Sequence, residues 1–229
     1  MEYPGGKGNL YQKIINLIPS HRVYIETHLG GGSILRHKLP ACQNIGIDID
    51  RDVLNVLSGY PLVKNGEDTR CYFVNADAAT WLKGYDFQGD EFIYADPPYV
   101  METRRQHRQL YRYEYTTRQH AELLDILTAI PCRVMISGYW SGLYAERLAD
   151  WHTASFEVRT RGGSWATEYL WMNYPTPTRL HDYRYLGDDY RERERIKRKK
   201  SRWVNRLRRM NLLERRAILS AIDEVFNGQ

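Results

Sequence analysis

Between Arg22 and Asp48 the chain reads as strand, glycine-rich turn, helix and strand, a succession that restricts the fold more than any other stretch. Arg22-Val23-Tyr24-Ile25-Glu26 is a compact apolar run with a terminal acid. Thr27-His28-Leu29-Gly30-Gly31-Gly32-Ser33 follows at once and opens a helical segment from Ile34 to about Lys38. A second run, Asn44-Ile45-Gly46-Ile47-Asp48, ends in another acid 18 residues beyond Gly30. Nucleotide-binding βαβ units have this layout: glycines let the backbone approach a ligand, and an acid about 20 residues on takes ribose hydroxyls. The turn lacks the full G-x-G-x-x-G spacing, and Glu26 beside it would repel a pyrophosphate. A carboxylate there suits the ammonium and sulfonium charges of S-adenosylmethionine. Read alone, Glu26 also fits a solvated acid at a strand end.

Two more strands follow the same rule. Cys71-Tyr72-Phe73-Val74 leads to Asp77, and Glu91-Phe92-Ile93-Tyr94-Ala95 leads to Asp96-Pro97-Pro98-Tyr99. Consecutive prolines cannot donate to a sheet ladder, so the strand stops and its last carboxylate and carbonyls face outward. Asp96 and the Pro97 carbonyl can each accept an N–H bond of an amino group, while Tyr99 stacks on the flat ring that carries it. Taken alone, this is also a strand that turns over two prolines. Ligands of open α/β sheets bind outside the carboxyl ends of the strands, so Glu26, Asp48, Asp77 and Asp96 should share one crevice. Asp50 reads as an exposed helix N-cap. Upstream, Tyr3-Pro4-Gly5-Gly6-Lys7-Gly8 passes into a helical pattern through Ile18. That turn fits either an anion-binding loop at a helix start or a plain N-terminal turn, and it is not a P-loop.

In this order, the Pro4-Gly5-Gly6-Lys7 opening, Glu26 with Gly30 to Gly32, Asp48, Asp77 and Asp96-Pro97-Pro98-Tyr99 resemble the Dam-type (D12 class) DNA adenine N6-methyltransferase family. The resemblance covers roughly residues 1–175. It implies an S-adenosylmethionine cofactor touched by Tyr3, Gly5, Gly6, Lys7, Glu26, Gly30, Gly32, Asp48, Asp77 and Asp96. It also implies a catalytic Asp96-Pro97-Pro98-Tyr99 acting on an adenine flipped out of duplex DNA. The chain departs from the family at Thr27-His28, where Pro-Phe is usual, and at Tyr3, where Trp is common. The same acceptor pocket could serve another planar amine, such as cytosine N4 or a glutamine amide, and a decayed DNA-binding member of the family is a further alternative.

Residues 100–117 are rich in Arg and Tyr, and family members put their target-recognition segment here. Arg104, Arg105, Arg108, Tyr111 and Arg112 are the candidate DNA contacts, against a solvated charged loop. Thr117 is the expected cap of the next helix, and Arg133-Val134-Met135-Ile136-Ser137 is a fifth strand. Ser155–Arg161 and Glu168–Tyr174 read as a hairpin around Arg161-Gly162-Gly163-Ser164, with Arg161 at a candidate DNA-contacting tip. The expected fold is therefore an α/β, Rossmann-like, S-adenosylmethionine-dependent methyltransferase fold, a mostly parallel sheet with an antiparallel edge hairpin.

Charge separates the remainder. Residues 176–216 hold 15 Lys or Arg against 6 Asp or Glu, whereas residues 1–175 hold 18 against 20. A near-neutral body of residues 1–175 with a basic helical extension at 176–229 suggests a polyanionic partner, and Lys197, Arg198, Lys199 and Lys200 are its candidate phosphate contacts. A solvated tail is the alternative. The three cysteines, Cys42, Cys71 and Cys132, have no metal-like spacing and read as reduced, buried thiols, so no metal is expected. No apolar run approaches the roughly 18 residues of a membrane span, and the start lacks the form of a signal peptide, so the expectation is a cytoplasmic protein. The family resemblance implies double-stranded DNA as its partner.

Overall fold

The computed structural model describes residues 7–57, 59, 63–64, 67–104, 109–159 and 163–227. Tyr3, Gly5, Gly6, Arg105, Arg108 and Arg161, all candidate site residues, lie outside the described residues. The chain divides into two compact units, Met1–Asp182 and Tyr183–Gln229.

A seven-stranded sheet forms the first unit. Its strands are β1 (Val23–Glu26), β2 (Gln43–Asp48), β3 (Arg70–Asn75), β4 (Glu91–Ala95), β5 (Arg133–Gly138), β6 (His152–Arg159) and β7 (Trp165–Met172). They lie in the order β3-β2-β1-β4-β5-β7-β6. The first five run parallel, and β7 is antiparallel to both β5 and β6. Helices α1 (Tyr11–Ile15), α2 (Ser33–His37), α3 (Arg51–Leu57), α4 (Ala78–Gly84), α5 (Thr117–Ala129) and α6 (Gly142–Arg147) join the strands. A parallel strand covered on both faces has no polar side to alternate with, which is why all five residues of β4 are apolar or buried. Ile25, Ile93, Leu123, Leu127, Val134 and Ile136 are fully buried in the core beneath it. β6, at the edge, alternates half-buried with exposed residues, as a strand with one wet face does.

The strand order reverses between β1 and β4, which pair with Glu26 opposite Tyr94. A crevice therefore opens at the carboxyl ends of these two strands, where open α/β sheets hold their ligands.

Several local expectations shift. Thr116, not Thr117, caps α5: its hydroxyl accepts from the Gln119 N–H while the Gln119 side chain accepts from the Thr116 N–H, a reciprocal capping box. The hairpin strands start and end a few residues earlier than their apolar content suggests, because Trp165 pairs with Arg159 and the Tyr174 hydroxyl donates instead to the Leu17 carbonyl. The first helix stops at Ile15, ahead of Pro19, and Ile18 is buried without being helical. Cys42 is exposed rather than buried. Residues 176–182 stay with the first unit, since His181 N–H donates to the Ile18 carbonyl and Asp182 accepts from the Leu39 N–H.

In the second unit, α7 (Tyr190–Arg209) starts on Asp189, whose carboxylate accepts from the Glu192 N–H at 2.8 Å. It carries eleven Lys or Arg against two Glu and buries none of its residues. α8 (Leu212–Asn227) follows. Among the sparse apolar residues of these two helices and their junction, Ile196, Leu207 and Met210 are half-buried and Trp203 and Leu213 are exposed. None of the helices among the described residues is long and apolar enough to cross a membrane.

Candidate active site

The glycine turn after β1 is shaped by two left-handed residues, Gly30 at φ 47° and Gly32 at φ 59°. A Cβ on Gly32 would also come within 3.1 Å of Leu57 Cδ1. Asp48, at the end of β2, clamps this turn by accepting from the Gly30 N–H at 2.8 Å through Oδ2 and from the Asp50 N–H at 2.8 Å through Oδ1. Burial raises the Asp48 pKa above its ordinary value.

Glu26 sits deeper, 3 % exposed at the end of β1. Its Oε2 accepts from the Tyr24 hydroxyl and from the Leu35 N–H in α2, both at 2.9 Å. Burial pushes its pKa up to about 8 against the pull of those two donors, and nearby Asp96 adds to the rise. A solvated strand-end acid is thereby excluded. A carboxyl so placed ionises readily only when a cation arrives.

Asp77 follows β3 and caps α4, its Oδ1 accepting from the Thr80 N–H at 2.9 Å and the Thr80 hydroxyl at 2.8 Å. It is also hydrogen-bonded by Tyr115. The Tyr115 hydroxyl lies 3.1 Å from His28 Nε2, and His28 Nδ1 lies 2.9 Å from the Thr27 hydroxyl. Burial lowers the His28 pKa to about 3, so the ring is neutral. The Thr27-His28 departure thus builds a hydrogen-bonded line from the glycine turn to Asp77 through Tyr115.

Asp96 leaves the end of β4 and accepts at Oδ1 from the Lys7 ammonium at 2.5 Å and the Ser137 hydroxyl at 2.7 Å. Lys7 also donates to the Tyr99 hydroxyl oxygen at 2.7 Å and lies 2.9 Å from Glu168 Oε1. Tyr99 in turn donates to Glu168 Oε1 at 2.7 Å, and its ring meets that of Tyr139 edge-on at 4.6 Å. Pro97 is buried and Pro98 half-buried. Burial alone would depress the Lys7 pKa, but Asp96 and Glu168 lift it well above its ordinary value, so the ammonium stays charged. Burial holds the Asp96 carboxyl above its usual range. Two carboxylates share one ammonium, and Ser137, Tyr139 and Glu168 complete a site of which the sequence reading names Lys7 and Asp96-Pro97-Pro98-Tyr99. One signal for Glu168 is visible: in β7 it alternates in phase with Leu170 and Met172, an acid on the buried face.

The Arg- and Tyr-rich segment divides. Arg104, expected on DNA, is 6 % exposed and braces the protein itself. Its guanidinium pairs bidentately with Glu114 at 2.7 and 2.6 Å, and its Nε donates to the Tyr99 carbonyl at 2.9 Å. A planar fork fits a carboxylate in this way, so Arg104 fixes the backbone behind Tyr99 and is unavailable to phosphate. Tyr111 is half-buried, with its ring centroid 5.4 Å from that guanidinium. Arg112 is exposed and lies 3.1 Å from Asp52 and 3.6 Å from Asp50. Lys197, Arg198, Lys199 and Lys200 are all exposed on α7. No group of three His, Cys, Asp or Glu among the described residues could hold a metal ion.

No family model and no curated protein matches the chain. Solved structures do. Magnesium protoporphyrin IX methyltransferase from Synechocystis PCC 6803, with bound S-adenosylmethionine, is 12% identical over 74% of this chain and 80% of its own, with a TM-score of 0.51. The N-methyltransferase NodS from Bradyrhizobium japonicum WM9 is 8% identical over 74% of this chain and 97% of its own, with a TM-score of 0.50. At such identities the likeness is one of fold, and the first unit has the Rossmann-like fold of the S-adenosylmethionine-dependent methyltransferases.

Proposed function

We propose that the chain is an S-adenosylmethionine-dependent methyltransferase acting on the exocyclic N6 of an adenine flipped out of duplex DNA. The observation that carries this reading is the way Asp96 holds an amine. At the end of the switch-point strand β4, a half-buried carboxylate accepts an ammonium N–H at 2.5 Å while the Tyr99 hydroxyl oxygen accepts another at 2.7 Å. Support also comes from the fold neighbours, one with S-adenosylmethionine bound and the other an N-methyltransferase.

The cofactor fits the charge of the crevice. Glu26 is a buried carboxyl with its pKa near 8, suited to the ammonium or sulfonium of S-adenosylmethionine, and the Gly30–Gly32 turn brings backbone close beside it. Asp48 and Asp77 would hold the nucleoside end. When bound, the cofactor supplies an electrophilic methyl group on a sulfonium. Adenine N6 is a weak nucleophile because its lone pair is delocalised into the ring. Asp96 accepts one N–H and the Pro97 carbonyl the second, which favours a pyramidal nitrogen whose lone pair is free to attack. Asp96 also offsets the positive charge that grows on the nitrogen. Tyr99 supplies a ring face on which the extruded base stacks, offsetting part of an unstacking cost of about a few kcal/mol.

Purified protein incubated with unmethylated duplex DNA of mixed sequence and methyl-labelled cofactor is expected to incorporate label, recovered as N6-methyladenine on hydrolysis. Recovery as N4-methylcytosine, or in protein, would move the assignment to another planar amine, and no incorporation would overturn it.

The exposed basic residues of α7 add phosphate contacts without sequence information. Replacing Lys197, Arg198, Lys199 and Lys200 together by glutamine is expected to weaken duplex binding. It should also flatten the slope of log affinity against log salt by up to about 3.6, since each phosphate contact contributes about 0.9. Fluorescence anisotropy across a salt series measures this, and an unchanged slope would remove these residues from the interface.

A further inference from the structure

The place that would hold a substrate amine already holds an amine belonging to the protein. The Lys7 ammonium donates to Asp96 Oδ1 at 2.5 Å and to the Tyr99 hydroxyl oxygen at 2.7 Å, and it is paired with Glu168 Oε1 at 2.9 Å. Ser137 occupies a further lone pair of the same Asp96 oxygen. A substrate N–H that bonds this oxygen, as distinct from Oδ2, must take the place of Lys7 on it. Expelling Lys7 from the site would strand the buried Glu168 and half-buried Asp96 carboxylates with no cation between them, a costly state. Glu168 removes the need for expulsion. It is 6 % exposed, stands on β7 in the sheet rather than on a loop, and is braced by the Tyr99 hydroxyl at 2.7 Å.

We propose that Glu168 is a positioning residue that keeps the Lys7 ammonium within the site when a substrate amine takes its bond on Asp96. The inference rests on the amine-methylating reading above. The charges also fit that reading. With Lys7 on Glu168, those two charges cancel and Asp96 is left as the carboxylate facing the nitrogen that becomes positive on methylation. With Lys7 on Asp96, the acceptor is already neutralised and the site is at rest.

Two experiments test this, and the first needs no substrate. In protein labelled with 15N-lysine, the side-chain ammonium cross-peak that Lys7→Met deletes should persist in Asp96→Asn, because Glu168 alone suffices to hold it. It should vanish in Asp96→Asn/Glu168→Gln. Loss in Asp96→Asn alone, or survival in the double variant, overturns the proposal. In the second, Glu168→Gln is expected to raise KM for mixed-sequence duplex about tenfold with kcat changed less than about threefold, because the substrate must now compete with a Lys7 that has nowhere else to go. Lys7→Met in the Glu168→Gln background should restore KM towards wild type. A residue that only anchored Tyr99 would show no such rescue, and a further loss in the double variant refutes the proposal. Thermal melts establish that each variant is folded. If wild-type protein labels no DNA, the substrate assignment fails by itself, and the ammonium cross-peaks decide the role of Glu168.

Discussion

Asp96→Asn is expected to reduce methyl transfer at least about 10³-fold while leaving duplex binding measurable, the scale of loss seen when one preorganised electrostatic partner is removed from a reacting centre. The substitution keeps the size of the side chain and removes its charge. An amide offers one acceptor oxygen and two donors in place of an acceptor-only group, so one edge of it would repel the N–H it should hold. The nitrogen then approaches planar, with its lone pair in the ring, and the positive charge formed on it meets no anion. Binding should survive because the substitution leaves untouched the basic residues proposed above as phosphate contacts, Lys197 to Lys200. Single-turnover transfer with preformed enzyme–DNA complex separates the two effects. A rate within tenfold of wild type would show that Asp96 does not contact the reacting nitrogen.

Glu26→Gln is expected to weaken S-adenosylmethionine binding about 10²-fold, the measured scale for losing one partner of a buried charge pair. It should also abolish a pH dependence that wild type possesses. With the Glu26 pKa near 8 in the ligand-free site, most of the carboxyl is protonated at pH 7, and a bound cation favours the ionised form. Binding should therefore release a proton, and affinity should rise with pH up to about 8 and level off above it. Stability runs the other way. The folded pKa lies above the ordinary value of 4.5, so between 4.5 and about 8 the folded protein binds more protons than the unfolded chain, and stability falls as pH rises across that window. Glutamine, neutral throughout, should flatten that decline. Calorimetry in two buffers of different ionisation enthalpy measures the proton, and melting against pH measures the stability. No proton release at pH 7 would show that Glu26 does not meet the cation.

The inner parallel strands were legible because burial on both faces leaves a continuous apolar signature, and each run in β1 to β4 ends in or just before an acid. The acids were legible one by one. Their partners were not. Lys7 meets Asp96 across 89 residues and Glu168 meets Tyr99 across 69, and neither pairing follows a local period that a sequence could display. Arg104 failed for the opposite reason. In a run of arginines and tyrosines every guanidinium looks solvated, and only the fold shows that this one closes on Glu114 and the Tyr99 carbonyl. The end of β7 was misplaced because Tyr174 packs like a strand residue while lying outside the ladder.

The position of β7 has a consequence for how the molecule comes to exist. Among the described residues β6 pairs only with β7, which is made after it and lies between it and β5. A growing chain that has reached residue 160 has a strand with no neighbour to join and an acceptor site lacking Glu168. Sheet closure and site completion are then a single event, delayed until nearly all of the first unit has left the ribosome.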